Sequence, residues 1–221
     1  MIKIDRSAKP SILEKKATEW TQKLLTAATA KGKKNAEGKY QHKQIKEALI
    51  ELFHGKCAYC ESKITHIDYG YGHIEHFKPK SHPIYRALTF EWTNLLLACG
   101  VCNGSEHKGK KFPSNSAGGP FVNPCQEKPD DHFEFVYDQT SKLATVVGKT
   151  KRGETTERLL GLNRHALREY RSKQVRKLIS LKKFAGADPE AETIFQEAQQ
   201  DNAEYAAFAR AIGAGASSNG E

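Results

Sequence analysis

Nowhere among its 221 residues does this chain hold an apolar run long enough to cross a bilayer. Its opening, Met1-Ile2-Lys3-Ile4-Asp5-Arg6, has neither an apolar stretch nor a cleavage site, so no secretion signal and a cytoplasmic protein are expected. Apolar residues are scarce, at 38%, and the mean hydropathy is −0.66, so the core is modest and the surface very polar. Acid is also short. Asp and Glu number 26 against 35 Lys and Arg, a net charge of +9 with a pI near 9.2. That surplus favours a polyanionic partner, most simply nucleic acid, although charge alone fits a merely soluble basic protein equally well. There is no internal repeat and no recognition-helix signature, so intrinsic sequence specificity is expected to be weak. The length suits one compact domain with elaborations, or two small ones.

Cysteine is rare too, but four of the five stand as two knuckles, Cys57-Ala58-Tyr59-Cys60 and Cys99-Gly100-Val101-Cys102. In a reducing compartment such pairs point to a metal rather than to disulfides. A C-x2-C turn puts two thiolates on one zinc ion without strain, and two turns complete a tetrahedron. A closed four-cysteine shell has no open position, so this zinc is expected to be structural. Cys125 stands apart and reads as a small, partly buried hydrophobe.

Between the knuckles lies Glu75-His76-Phe77-Lys78-Pro79-Lys80, and Asn103 follows the second knuckle directly. Glu75 offers a hard oxygen ligand and His76 a titratable base. A phosphodiester hydrolase needs both a base to activate water and a cation to stabilise the phosphorane. In a regular strand these neighbours point to opposite faces, so a twist or bend is required to bring both to one phosphate.

Periodicity and punctuation predict helices over residues 11–31, with Ser11 and Glu14 as a capping box, and over 42–54, with Ile45, Leu49 and Leu52 inward. Residues 31–43 read as a basic connector, 57–64 as a knuckle with a return strand, and Tyr69-Gly70-Tyr71-Gly72 as a turn. A short strand is expected at 73–77, an apolar stretch at Leu95, Leu96, Leu97 and Ala98, and a helix from near Asn103 or Gly104. After a loop at 112–124, a hairpin at 132–137 and 143–147 precedes a helix at 154–160, a long helix capped by Asn163 to about Phe184, and a last helix over 188–212. Residues 213–221 read as a disordered tail.

Glu75-His76, Trp92-Thr93-Asn94-Leu95-Leu96, Cys99-Gly100-Val101-Cys102-Asn103 and Lys108-Gly109 together resemble the zinc-knuckled HNH endonucleases. Within that superfamily, Cys57-Ala58-Tyr59-Cys60-Glu61, Lys111-Phe112-Pro113, Asn123-Pro124-Cys125 and Leu160-Gly161-Leu162-Asn163-Arg164, with Leu167 and Arg171, are similar to the HNH partners of retron and Septu anti-phage systems. The resemblance covers roughly residues 45–175. It implies an α+β chain in which a small ββα-metal module of the His-Me finger kind, with its structural zinc, is embedded in a mainly helical protein. The expected division is an N-terminal helix and connector at 1–44, the nuclease module at 45–125, a hairpin and helices at 126–212, and the tail.

By the same resemblance, His76 is the general base and Glu75 an acidic ligand of a catalytic Mg2+ or Mn2+ ion, where Asp is commoner in the family. Asn94 orients the loop and the base. Asn103 is a second ligand where many relatives have His, and His107 a third. Lys78, Lys80, Lys108 and Lys110 are placed as phosphate contacts. The products implied are a 5′-phosphate and a 3′-hydroxyl, and the partner implied is an ABC-type ATPase. His73 and His82 read as structural, and His54, His66, His132 and His165 have no company that argues for ligation. The basic sets near the amino end and along the long helix, Arg171 included, could track a phosphate backbone or be solvated faces. Four readings stand at this point: a defence nuclease acting on DNA, a restriction or mobile-element HNH enzyme, an RNA or tRNA nuclease, and a non-catalytic zinc module.

Overall fold

The computed structural model describes residues 1–64 and 72–215. The turn expected at Tyr69, Gly70 and Tyr71, His66, and the tail beyond residue 215 lie outside the described residues. The chain divides into two compact units. One comprises Ile4–Ala58 and Ile64–Phe112, the other Met1–Lys3, Tyr59–Lys63 and Pro113–Glu221.

In the first unit α1 is Ser11–Thr26, shorter than the expected 11–31. No side chain caps it. Pro10 takes the N-cap position in extended backbone, and its carbonyl accepts from Leu13 and Glu14, which moves Ser11 inside the helix and undoes the capping box. The basic connector is itself ordered. α2 is Ala30–Glu37, and a 3-10 turn, Gly38–Gln41, continues it. Thr29 caps α2 by accepting from the Gly32 N–H at 3.0 Å, and no residue of the helix is buried. α3, Lys43–Leu52, buries Ile45, Leu49 and Leu52 at the expected 3- and 4-residue spacing.

Strand β1, His73–His76, pairs antiparallel with β2, Leu95–Ala98, with His73 opposite Ala98 and His76 opposite Leu95. β2 is apolar and buried throughout. α4, Gly100–Asn103, follows at once and starts three residues before the expected Asn103. No return strand forms after the first knuckle among the described residues. The turn closes instead through Ile64 N–H on the Gly55 carbonyl at 3.0 Å.

The second unit is built on the expected hairpin, β3 Phe133–Asp138 and β4 Leu143–Gly148. α5 is Lys151–Leu159, entered through a Thr150 cap on Gly153. α6 is His165–Ala185, with Arg164 rather than Asn163 at its N-cap. Asn163 instead pairs with the edge of β4, accepting from Val146 N–H at 3.0 Å and donating to its carbonyl at 2.7 Å. Arg171, expected on a basic face, is 1% exposed. Its guanidinium donates to the Ala144 and Leu162 carbonyls and to Asn163 Oδ1, and stands 5.1 Å from the centre of the Phe208 ring. The single last helix is two, α7 Pro189–Glu197 and α8 Ala206–Gly213. Tyr205, in left-handed backbone, restarts the chain, while Arg210 reaches back to the Gln199 carbonyl and to Asp201.

Candidate active site and zinc cluster

The four knuckle cysteines are buried, and their sulfurs lie within 4.8 Å of one another. A tetrahedron with zinc–sulfur bonds of about 2.3 Å has sulfurs about 3.8 Å apart, so the donor set and spacing suit zinc. Backbone dictates the arrangement. Cys102 N–H points at Cys99 Sγ at 3.4 Å, and Ala58 N–H on the Leu97 carbonyl at 2.8 Å ties the first knuckle to β2. All five cysteines are free of disulfides.

The alternation problem posed by Glu75 and His76 is resolved at the strand's end. The chain bends at residues 77–78, and Glu75 and His76, each about 5% exposed or less, border one cavity of 230 Å³. Tyr40, Lys80, Asn103 and Lys110 line it as well. Asn94 holds the bend. Its Oδ1 accepts from Lys78 N–H at 2.8 Å, and its Nδ2 donates to the Lys78 carbonyl at 3.1 Å and to the Leu88 carbonyl at 3.2 Å.

His76 Nε2 lies 3.0 Å from the Thr89 carbonyl. A carbonyl only accepts, so Nε2 carries the hydrogen and Nδ1 of the neutral ring keeps its lone pair. Burial lowers the imidazole pKa to about 4, against the Thr89 bond that raises it and with help from the Lys80 and Lys108 charges. The ring is therefore neutral at pH 7, as a proton acceptor must be.

Glu75 Oε1 pairs with Lys108 Nζ at 2.8 Å, and the same ammonium donates to the His76 carbonyl at 3.1 Å. Lys108 is fully buried, which corrects its placement as a phosphate contact at the surface. Asn103 ends α4, and its N–H donates to the Cys99 carbonyl at 3.0 Å, so the second knuckle sets its position. His107 is not among the residues lining the cavity. Lys78 stands over the Tyr85 ring at 5.8 Å instead of lining the cavity, whereas Lys80 and the exposed Lys110 both line it.

Three residues were given no role at the site from the sequence. Thr89 acts through its carbonyl, which any residue could supply. Lys111 ties the turn after Asn103 by donating to the Ser105, Glu106 and His107 carbonyls. Tyr40 reaches the cavity from what read as a connector.

Of the three expected ion ligands, the two that border the cavity, Glu75 and Asn103, offer one carboxylate and one amide carbonyl. That set suits a single hard divalent ion that keeps several waters, better than it suits zinc.

Residues 57–109 match the family model described as HNH endonuclease. Over 212 aligned residues the chain is 34% identical to the Septu protein PtuB of Bacillus mycoides (strain KBAB4), covering 83% of this chain and 70% of that protein. It is 33% identical to the Septu protein PtuB of Bacillus thuringiensis, over 74% of this chain and 55% of that one. A Septu protein PtuA of Bacillus mycoides (strain KBAB4) is 28% identical over 58% of this chain and 20% of its own length. The chain thus spans between about half and seven-tenths of the PtuB proteins it matches.

Proposed function

The chain belongs to the Septu PtuB family and carries an HNH endonuclease module, and from that membership we propose that it hydrolyses nucleic-acid phosphodiesters, with DNA as substrate. One observation carries this reading: Glu75, His76 and Asn103 line the same 230 Å³ cavity, with the imidazole neutral.

His76 Nδ1 takes the proton from the attacking water, while the Thr89 carbonyl holds the opposite nitrogen protonated and the ring in place. Glu75 and Asn103 would hold one Mg2+ or Mn2+ ion. When bound, that ion supplies positive charge to the phosphorane and the leaving oxygen. Asn94 keeps the bend that aims Glu75 and His76 together. Lys80 and Lys110 meet the phosphates at the cavity. The P–O3′ bond breaks, leaving a 5′-phosphate and a 3′-hydroxyl. We place the nuclease module at residues 45–125, within the longer resemblance. The cytoplasm, an anti-phage role and an ABC-type ATPase partner belong to the same proposal, as the resemblance to Septu systems implies. The ATPase would supply target selection, in line with the weak intrinsic specificity expected of the chain.

The test incubates purified chain with plasmid DNA and with tRNA in Mg2+ or Mn2+, with and without EDTA, beside His76→Ala, alone and with the ATPase of the same system. Metal-dependent DNA cleavage lost in the variant is expected. Cleavage of tRNA alone would reassign the substrate. No cleavage in any arm would make the chain a binding module.

A further inference from the structure

Tyr40 belongs to the 3-10 turn after α2, a segment with no buried residue of its own. Its ring nevertheless meets the His76 imidazole edge-on, with centroids 4.7 Å apart and planes at 78°. On the same ring stands the Lys80 ammonium, 5.3 Å from the centroid, and Lys80 is ion-paired with Glu37 from the end of α2. One half-buried side chain therefore touches both the base and a cation of the cavity.

The contact answers a mechanical need. The Thr89 carbonyl fixes one atom of the imidazole, and the terminal torsion of histidine is broad and roughly two-fold. A single hydrogen bond does not by itself take away the ring's freedom to rock. An aromatic edge against the ring removes that freedom, and the quadrupole of the same ring attracts an ammonium.

We propose that Tyr40 is a positioning residue of the nuclease site, whose ring holds the His76 imidazole at its working angle and draws the Lys80 ammonium over the cavity. The proposal rests on the reading of His76 as the base. The hydroxyl has no part in it, so the aromatic ring alone should suffice. Since α2 buries nothing and Tyr40 is only half-buried, Tyr40→Leu should leave the fold intact.

Wild type, Tyr40→Phe, Tyr40→Leu and His76→Ala are compared for zinc content, circular dichroism, kcat and KM on DNA. Imidazole 15N spectra of the zinc-loaded proteins, without other divalent ions, follow His76 directly. Tyr40→Phe should stay within about 3-fold of wild type, while Tyr40→Leu should lose kcat by roughly 10- to 100-fold with a smaller change in KM, the scale set by a small misplacement of a reacting group. The spectra should show one Nε2-protonated His76 form in wild type and Tyr40→Phe, and a broadened or second set in Tyr40→Leu. Full kcat in Tyr40→Leu, or lost kcat with an unchanged His76 spectrum, would overturn the proposal. If wild type fails to cleave even with the ATPase of the same system added, the nuclease reading falls, and the spectra still decide: a His76 signal indifferent to Leu would remove the positioning role as well.

Discussion

Lys108→Met should destabilise the protein by about 3–5 kcal/mol, the cost of leaving one member of a buried ion pair uncompensated. The side chains of Lys108 and Glu75 are 0% and 5% exposed, their charged atoms are 2.8 Å apart, and the ammonium also satisfies the His76 carbonyl. Methionine keeps the length of the stem and removes every donor. At about 2–4 °C per kcal/mol for a chain of this size, the melting temperature should fall by roughly 6–20 °C. The measurement is thermal unfolding of zinc-loaded protein in the absence of other divalent ions. Two further arms make the reasoning exposed. Adding Glu75→Gln to Lys108→Met should recover much of the loss, because no buried charge then remains unpaired. Adding Mn2+ to the single variant should raise its melting temperature more than wild type's, because the ion meets Glu75 without a competing ammonium. A loss below about 1 kcal/mol in the single variant, against the scale for a broken buried pair, would refute the pairing as a structural bond. An equal response of both proteins to Mn2+ would refute Glu75 as a ligand.

Cys102→Ser should lower zinc stoichiometry and solubility together, read by metal analysis and gel filtration, since folding and metal binding are coupled. Arg171→Lys should cost about 2–5 kcal/mol in urea unfolding, because a point ammonium cannot span three acceptors that a planar fork reaches. Burial raises the Glu127 pKa, but the Arg152 pairing, the Asn123 N–H and the His132 charge together outweigh it and hold the carboxyl below its ordinary range. A depressed carboxylate stabilises above its unfolded pKa of about 4.3 and loses that contribution as pH falls. Glu127→Gln should therefore be less stable than wild type at pH 7, and the gap should close toward pH 3 in paired melts.

The sequence made plain what chain connectivity dictates. The knuckle spacing places four thiolates together, and the short strand carrying Glu75 and His76 and the apolar stretch at Leu95 to Ala98 were readable. The missing parts depend on tertiary placement. Lysines are ordinarily surface residues, and nothing local to Lys108 says that its ammonium is buried against Glu75. α2 buries no apolar stripe, so the pattern that reveals helices was absent and Tyr40 read as part of a connector. Asn163 and Arg171 look like a helix cap and a basic face. They are instead the groups that satisfy the edge of β4.

The stretch from residue 99 to residue 108 holds two of the four clustered cysteines, Asn103 and the lysine bonded to Glu75. Oxidants should accordingly act on this enzyme as a poison of geometry, because sulfur chemistry at Cys99 or Cys102 releases the segment that sets Asn103 and Lys108. Activity in storage should then decay in step with the protein's titratable thiols, and a reducing, zinc-replete buffer should preserve it better than cold alone.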